Sequence, residues 1–308
     1  MPATSSRQDN TMLGVAMIVT AVFLMTFADA LVKLVSAHFT LWQIYVTRGL
    51  IAVPLLIIIM RWRGASIWPA APGWVYLRAL LLVMMWIAYY ASLPVLSLSV
   101  AAVALYTSPL LIALLSALIL RETVGIRRWV AIVVGFIGVL IILRPGAESF
   151  TWFALLPILG AVFYALAMIV TRSKCLNNAP LSLALALNFA LMITGVAATV
   201  AVFVLDLNSK YAAIYPFILG SWADMGVQEW ATVALLGALI AIYSTCVAKA
   251  YQIAAPSIVA TFDYSYLVFA ALWGFILFSE TLETATVIGM MLIAVAGILV
   301  TRPVLAED

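Results

Sequence analysis

Asp29 and Lys33 stand four residues apart inside the apolar run 12–36, the spacing at which an acid and a base meet on one helix face. A charge inside such a run costs about 2.5–3.5 kcal/mol to insert into a bilayer, so it tends to face a cavity or a partner. Asp29 reads either as a cavity acid that titrates or meets a substrate amine, or as half of a self-neutralising pair with Lys33. Thr26 falls on the same face and extends a polar stripe. A second set is Lys249, late in the run 230–250, and Asp263, about two turns into 257–278. They either pair, or Lys249 reaches back to the interface along its aliphatic stem.

Aromatic residues are the other chemical resource: 10 Trp, 12 Tyr and 14 Phe. Most belong to interfacial belts or lipid-facing bulk; Trp68 and Trp74 fit one belt, Trp42 and Trp152 the other. A deeper subset consists of Trp86, Tyr89 and Tyr90 within 73–93, Tyr106 within 98–120, and Tyr164, Tyr243 and Tyr264. Aromatic rings carrying a hydroxyl suit a largely apolar, aromatic cargo with one polar end. An ion or sugar phosphate would call for an arginine cluster instead. Pro109, just after Tyr106, removes the backbone bond to residue 105 and should kink the fourth span beside Tyr106. Freed backbone groups at membrane depth are tolerated where they line a cavity.

Catalysis finds no support in the sequence. There is no Gly-rich phosphate loop, no nucleophile elbow, and one histidine, His38, in a loop. Cys175 and Cys246 form neither a disulfide framework nor a metal spacing. No catalytic residue, metal, cofactor or nucleic-acid partner is expected.

The elements that must position these residues follow from composition. Of 308 residues 67% are hydrophobic and 9% charged, with mean hydropathy +1.22, against about half and a quarter in soluble domains. Lipid must therefore be the solvent. A membrane helix needs about 20 apolar residues, and ten runs qualify: 12–36, 41–60, 73–93, 98–120, 128–144, 152–171, 181–204, 230–250, 257–278 and 284–301. They are too long for strands and do not alternate. The segment 206–229, with Pro216 and Gly220, is a longer connection suited to the membrane surface. Loop charges set the orientation: Arg7, Arg61, Arg63, Arg78, Arg121, Arg127, Arg128, Arg172, Lys174 and Arg302 fall on one side, Arg144 and Lys210 on the other. Both termini should be cytoplasmic.

The chain also repeats itself. At an offset of 158, Ser99/Ser257, Ala102/Ala260, Tyr106/Tyr264, Ala113/Ala271, Leu114/Leu272, Glu122/Glu280, Thr123/Thr281, Arg144/Arg302 and Pro145/Pro303 coincide without a gap. Ala21-Val22-Phe23 echoes Ala161-Val162-Phe163 more faintly, and Arg48 then falls opposite Asn188. The expected architecture is all-α, ten transmembrane helices in two five-helix repeats: a tail 1–11, a first repeat 12–145, a second 150–303 and a tail 304–308. Five is odd, so the second repeat must be inverted, an arrangement that transporters use to open a central site to each side in turn. Small residues (Ala131, Gly135 and Gly138 on the fifth run, Gly289 and Gly297 on the tenth) suit close helix contacts between the ends of the repeats.

Ten spans, Arg48 in the second, Tyr106-Thr107-Ser108-Pro109, and the Glu-Thr pairs at 122–123 and 280–281 together resemble the EamA family of the drug/metabolite transporter superfamily. Within it the chain looks most similar to YddG-like bacterial exporters. The resemblance implies an inner-membrane exporter of aromatic or hydrophobic amino acids, with organic cations or a channel-like permease as alternatives. It implies a central cavity near the deeper aromatics and a structural role for Arg48, Pro109, Glu122 and Glu280. Leu267 in place of a second Pro109 and the long 206–229 connection depart from the family pattern. Neither a scaffold nor a lipid-modifying enzyme is favoured, and the sequence leaves the oligomeric state open.

Overall fold

The computed structural model describes residues 5–119, 126–143, 151–207, 211–254, 259, 262–280 and 283–301. Among them there is no strand. The helices are α1 (Ser5–Val35), α2 (Leu41–Trp62), α3 (Pro72–Ser92), α4 (Leu98–Leu105), α5 (Ser108–Ile119), α6 (Ile126–Leu143), α7 (Leu155–Lys174), α8 (Pro180–Val204), α9 (Val227–Ile253), α10 (Ser265–Phe278) and α11 (Thr284–Thr301). Six are long and apolar enough to cross a membrane: Met12–Val35 within α1, α2, α3, Trp152–Lys174, α8 and α9. In lipid every backbone polar group needs an internal partner, which is why such runs close into helices.

Local chemistry sets the helix ends. Thr40 caps α2 by accepting from the Gln43 N–H at 3.2 Å, and Ser97 caps α4 from Val100 at 3.2 Å. Pro72 and Pro180 open α3 and α8, where a missing N–H costs nothing. At the end of α10, Ser279 adopts a left-handed conformation (φ 53°) and closes the last carbonyls; Glu280 follows directly. α2 runs unbroken through Pro54.

Two interruptions matter most. The apolar run 98–120, expected as one span kinked beside Tyr106, is instead split into α4 and α5 at Tyr106 and Thr107, just before Pro109. The run 257–278 is split at Tyr264, with residues 262 and 263 helical before it and α10 after it. Proline is not what breaks the second run, because Leu267 stands at that place and its N–H bonds the Tyr264 carbonyl at 3.0 Å.

α4 is buried on all sides, every residue except Val100, so it lies at the centre. Around it α6 packs along α11, α2 along α8, α3 along α7, and α1 along α9; α9 also touches α2, α3 touches α8, α10 touches α1 and α4, and α5 touches α7. Large apolar side chains such as Trp62, Phe136, Phe203 and Phe275 remain exposed on the outside, as lipid contact requires.

The connection 206–229 does not hang free. It forms a helical turn at Pro216–Leu219 and folds onto the start of α2. The Gln43 side chain donates to the Ala223 carbonyl at 2.7 Å and accepts from the Ala223 N–H at 3.0 Å. Trp42, expected in an interfacial belt, is buried and its indole donates to the Ile218 carbonyl at 2.7 Å. Trp68 and Trp152 stay exposed, and Trp74 lies under the Lys174 ammonium.

Candidate functional site

The break between α4 and α5 brings Tyr106 to the middle of the molecule. There it meets α3, α7 and α9 around a hollow lined by Met25, Arg78, Met85, Trp86, Tyr164 and Tyr243, with Ser108 and Ser244 adding hydroxyls. The hollow offers about 40 Å³ to water-sized atoms, room for a few waters and too little for an aromatic metabolite in this conformation. Of the aromatics singled out in the sequence, Trp86, Tyr106, Tyr164 and Tyr243 line it. Tyr89 and Tyr90 are not in the lining; the Tyr90 ring lies 4.8 Å from that of Trp86 between centroids, tilted by 38°. Tyr264 is buried elsewhere at the break, 6.4 Å from the Tyr106 ring.

The two buried acids are held by phenols, not by lysines. Asp29 accepts from Tyr90 at 2.9 Å and from Tyr266 on its other oxygen. Asp263 accepts from Tyr106 at 3.1 Å, Tyr164 at 3.3 Å and Tyr251 at 3.2 Å. The pairing of Asp29 with Lys33 is therefore not what the structure shows, nor is a pairing of Asp263 with Lys249, which remains half-buried. Tyr106 and Tyr266 stack at 4.3 Å, inclined by 22°, so the two carboxylate cages share a wall. Tyr89 and Tyr266 exchange a hydroxyl bond at 2.8 Å. Thr26 turns back on its own helix, bonding the Val22 carbonyl at 2.9 Å.

Lys33 instead crosses the molecule. Its ammonium donates to the Leu96 carbonyl at 2.7 Å and pairs with Glu280 at 3.0 Å. The same Glu280 oxygen accepts from the Leu98 N–H at 3.0 Å, at the mouth of α4. This tie joins α1 and the residue after α10 to the start of α4. At the end of α9, Gln252 donates to the Cys175 carbonyl at 3.0 Å and the Asn178 carbonyl at 2.7 Å. Glu122 lies outside the described residues, and of Pro109 the backbone alone is described.

Among the described residues two arginines are buried in the core. The Arg48 guanidinium lies 4.8 Å from the Tyr45 ring centroid and 5.7 Å from that of Tyr90, while its Nε and Nη2 find no acceptor among the described residues. Arg78, counted from sequence among interfacial charges, is 2% exposed. Its Nε donates to Thr171 Oγ1 at 2.7 Å and Nη1 reaches the Leu183 carbonyl at 3.5 Å. Its place near the start of an apolar run made it indistinguishable from a loop arginine, and no spacing pointed to Tyr251 or Tyr266 as carboxylate donors.

With this geometry in hand, comparison with known proteins places it. Residues 12–144 match the EamA-like transporter family. The chain is 26% identical over 294 residues to the pseudopaline exporter CntI of Pseudomonas aeruginosa, covering 94% of this chain and 96% of that one. It is 32% identical over 175 residues to a riboflavin transporter of Vibrio cholerae, covering 56% of this chain and about half (52%) of that protein. An S-adenosylmethionine uptake transporter of Rickettsia prowazekii is 25% identical over 224 residues, covering 73% and 70%. One solved crystal structure superposes with a TM-score of 0.64 over 96% of both chains at 16% identity, which shows a shared fold. These relatives are named for riboflavin, S-adenosylmethionine and pseudopaline and not for aromatic amino acids. Residues 12–144 thus resemble the EamA-like transporters, and the described residues hold six helices long and apolar enough to cross a membrane.

Proposed function

We propose that the whole chain is an EamA-type transporter that exports small organic metabolites, aromatic or hydrophobic amino acids first, by alternating access between two inverted five-helix halves. The observation that carries this reading is the hollow beside the α4–α5 break, with Trp86, Tyr106, Tyr164 and Tyr243 in its wall. Its support at the level of architecture is a pattern in the packing. Matching α1 with α7, α2 with α8, α3 with α9, α4 and α5 with α10, and α6 with α11 exchanges the halves. Under that exchange the pair α3–α7 becomes α9–α1, α2–α9 becomes α8–α3, and α1–α10 becomes α7–α5, all of them observed, while α2–α8, α4–α10 and α6–α11 map onto themselves. Reciprocal pairing of this kind belongs to a two-fold relation. With five spans in each half, the axis lies in the membrane plane.

The Lys33–Glu280 tie, which joins the two halves beside α4, supports reading this conformation as one closed on that side. Export is favoured by the pseudopaline exporter, which aligns over nearly its full length. The loop charges favour an inner-membrane protein with both termini in the cytoplasm. Asp263, one tyrosine away from the hollow through both Tyr106 and Tyr164, is the better placed acid for coupling or recognition. The second reading, an organic-cation exporter on the same fold, draws on the aromatic faces in front of Asp263, since such faces attract cations; Arg78 in the same wall opposes it.

Flux in proteoliposomes decides. Saturable, competable movement of a labelled aromatic amino acid is the expected result. Flux of quaternary cations alone would replace it with the second reading, and linear flux without competition would mean a channel.

A further inference from the structure

Arg78 is a buried cation in the wall of the hollow whose protein partners are a hydroxyl and a carbonyl. A guanidinium carries five N–H donors, and the two contacts use one donor well and one at the limit of reach. The titratable groups that act on it are Cys175 and Tyr164, neither of carboxylate strength. Removing a cation from water is costly unless an anion meets it, and an ionisable group buried within a membrane helix marks a functional site by default. Beside it in the same wall stand the hydroxyls of Tyr164 and Ser244, while Trp86, Tyr106 and Tyr243 offer ring faces. The hollow thus carries one cation in a wall otherwise made of aromatic and aliphatic side chains and two serine hydroxyls. Arg48, whose guanidinium lies over the Tyr45 and Tyr90 rings, adds a second buried positive charge outside the lining.

We infer that Arg78 is the subsite for an oxyanion on the cargo, a carboxylate or a phosphate carried by an otherwise aromatic molecule. This rests on the transport reading above and adds the charge of the end that is recognised. Guanidinium and oxyanion match as a planar fork to a pair of oxygens, which an amide or an alcohol cannot reproduce.

The test uses matched pairs on the full-length purified protein in detergent: L-tryptophan against L-tryptophanamide, and riboflavin 5′-phosphate against riboflavin. Thermal stabilisation is titrated for each, and the same four are run as competitors of flux in proteoliposomes. At least one acid should half-saturate about tenfold or more below its neutral-ended partner, and whichever pair shows the gap tells carboxylate from phosphate. Arg78→Gln should shrink the gap to within about twofold while the neutral-ended partners bind as before, and Arg78→Lys should restore part of it. The wild-type comparison stands without any variant should Arg78→Gln fail to fold. Equal binding within both pairs, a preference for the neutral-ended partners, or a gap that survives Arg78→Gln would overturn the oxyanion subsite and leave the transport reading in place. No stabilisation and no flux with any of the four would count against both.

Discussion

Tyr266 serves two neighbours at once: its hydroxyl reaches Asp29 and stands 2.8 Å from that of Tyr89, while its ring stacks on Tyr106, a donor to Asp263. Removing one hydroxyl from a buried carboxylate costs about 1–3 kcal/mol. Tyr266→Phe should therefore lower the unfolding midpoint by that much, while Tyr76→Phe, at a position 52% exposed, stays within about 0.5 kcal/mol; thermal unfolding in detergent reads both. The two acids should separate in function. Asp263→Asn is expected to impair flux or remove its response to a pH gradient, and Asp29→Asn, one layer further from the hollow, to leave that response intact. Unchanged, gradient-sensitive flux in both variants would discount either as a proton site. Why these cages were hidden is plain from the separations involved. Asp29 and Tyr266 are 237 residues apart, Lys33 and Glu280 are 247 apart, and helical spacing on one span cannot anticipate a partner on another. The i,i+4 spacing of Asp29 and Lys33 was real, but each side chain had a better partner across the bundle.

Helices, by contrast, were legible. The apolar runs read from the sequence end within a few residues of the described helices because lipid leaves the backbone so little choice. A kink near Pro109 was legible, though not the full break, and the matching break at Tyr264 was not, since no proline marks it. Close approach is the other property of the elements. A methyl group placed on Gly237 of α9 would lie 2.9 Å from the Arg48 carbonyl oxygen and 2.8 Å from Ile51 Cβ on α2, atoms that cannot step aside without moving the helix. Small residues at such crossings let membrane helices pack. Gly237→Ala should cost about 1–3 kcal/mol by overpacking; Gly73→Ala, with nothing within 4 Å, should cost none and gain slightly in helix propensity. Equal unfolding midpoints for the two variants would contradict this contact.

Across the whole molecule, one tie beside the start of α4 joins the two halves of the chain, while the Gln252 contacts stay within the second half. Lys33 belongs to α1, while Glu280 follows α10 and holds the mouth of α4. If transport alternates, this tie must part once per cycle. Replacing Lys33 and Glu280 by cysteines and joining them with a short bis-thiol linker should abolish flux, and a cleavable linker should return it on reduction. Undiminished flux in the joined protein would mean that this side never opens. Gln252→Ala, which frees the carbonyls of Cys175 and Asn178, should loosen the end of α9 and raise the labelling of Cys175 by a thiol reagent.

The clasp between α2 and the 206–229 connection has a practical corollary. Because Gln43 and Trp42 hold Ala223 and Ile218 by three hydrogen bonds, that stretch is an outrigger of α2 and rides with it. A fluorophore attached at Tyr215, which is 46% exposed, would report displacement of α2 from outside the bundle, giving a spectroscopic handle on the working cycle that leaves the interior untouched.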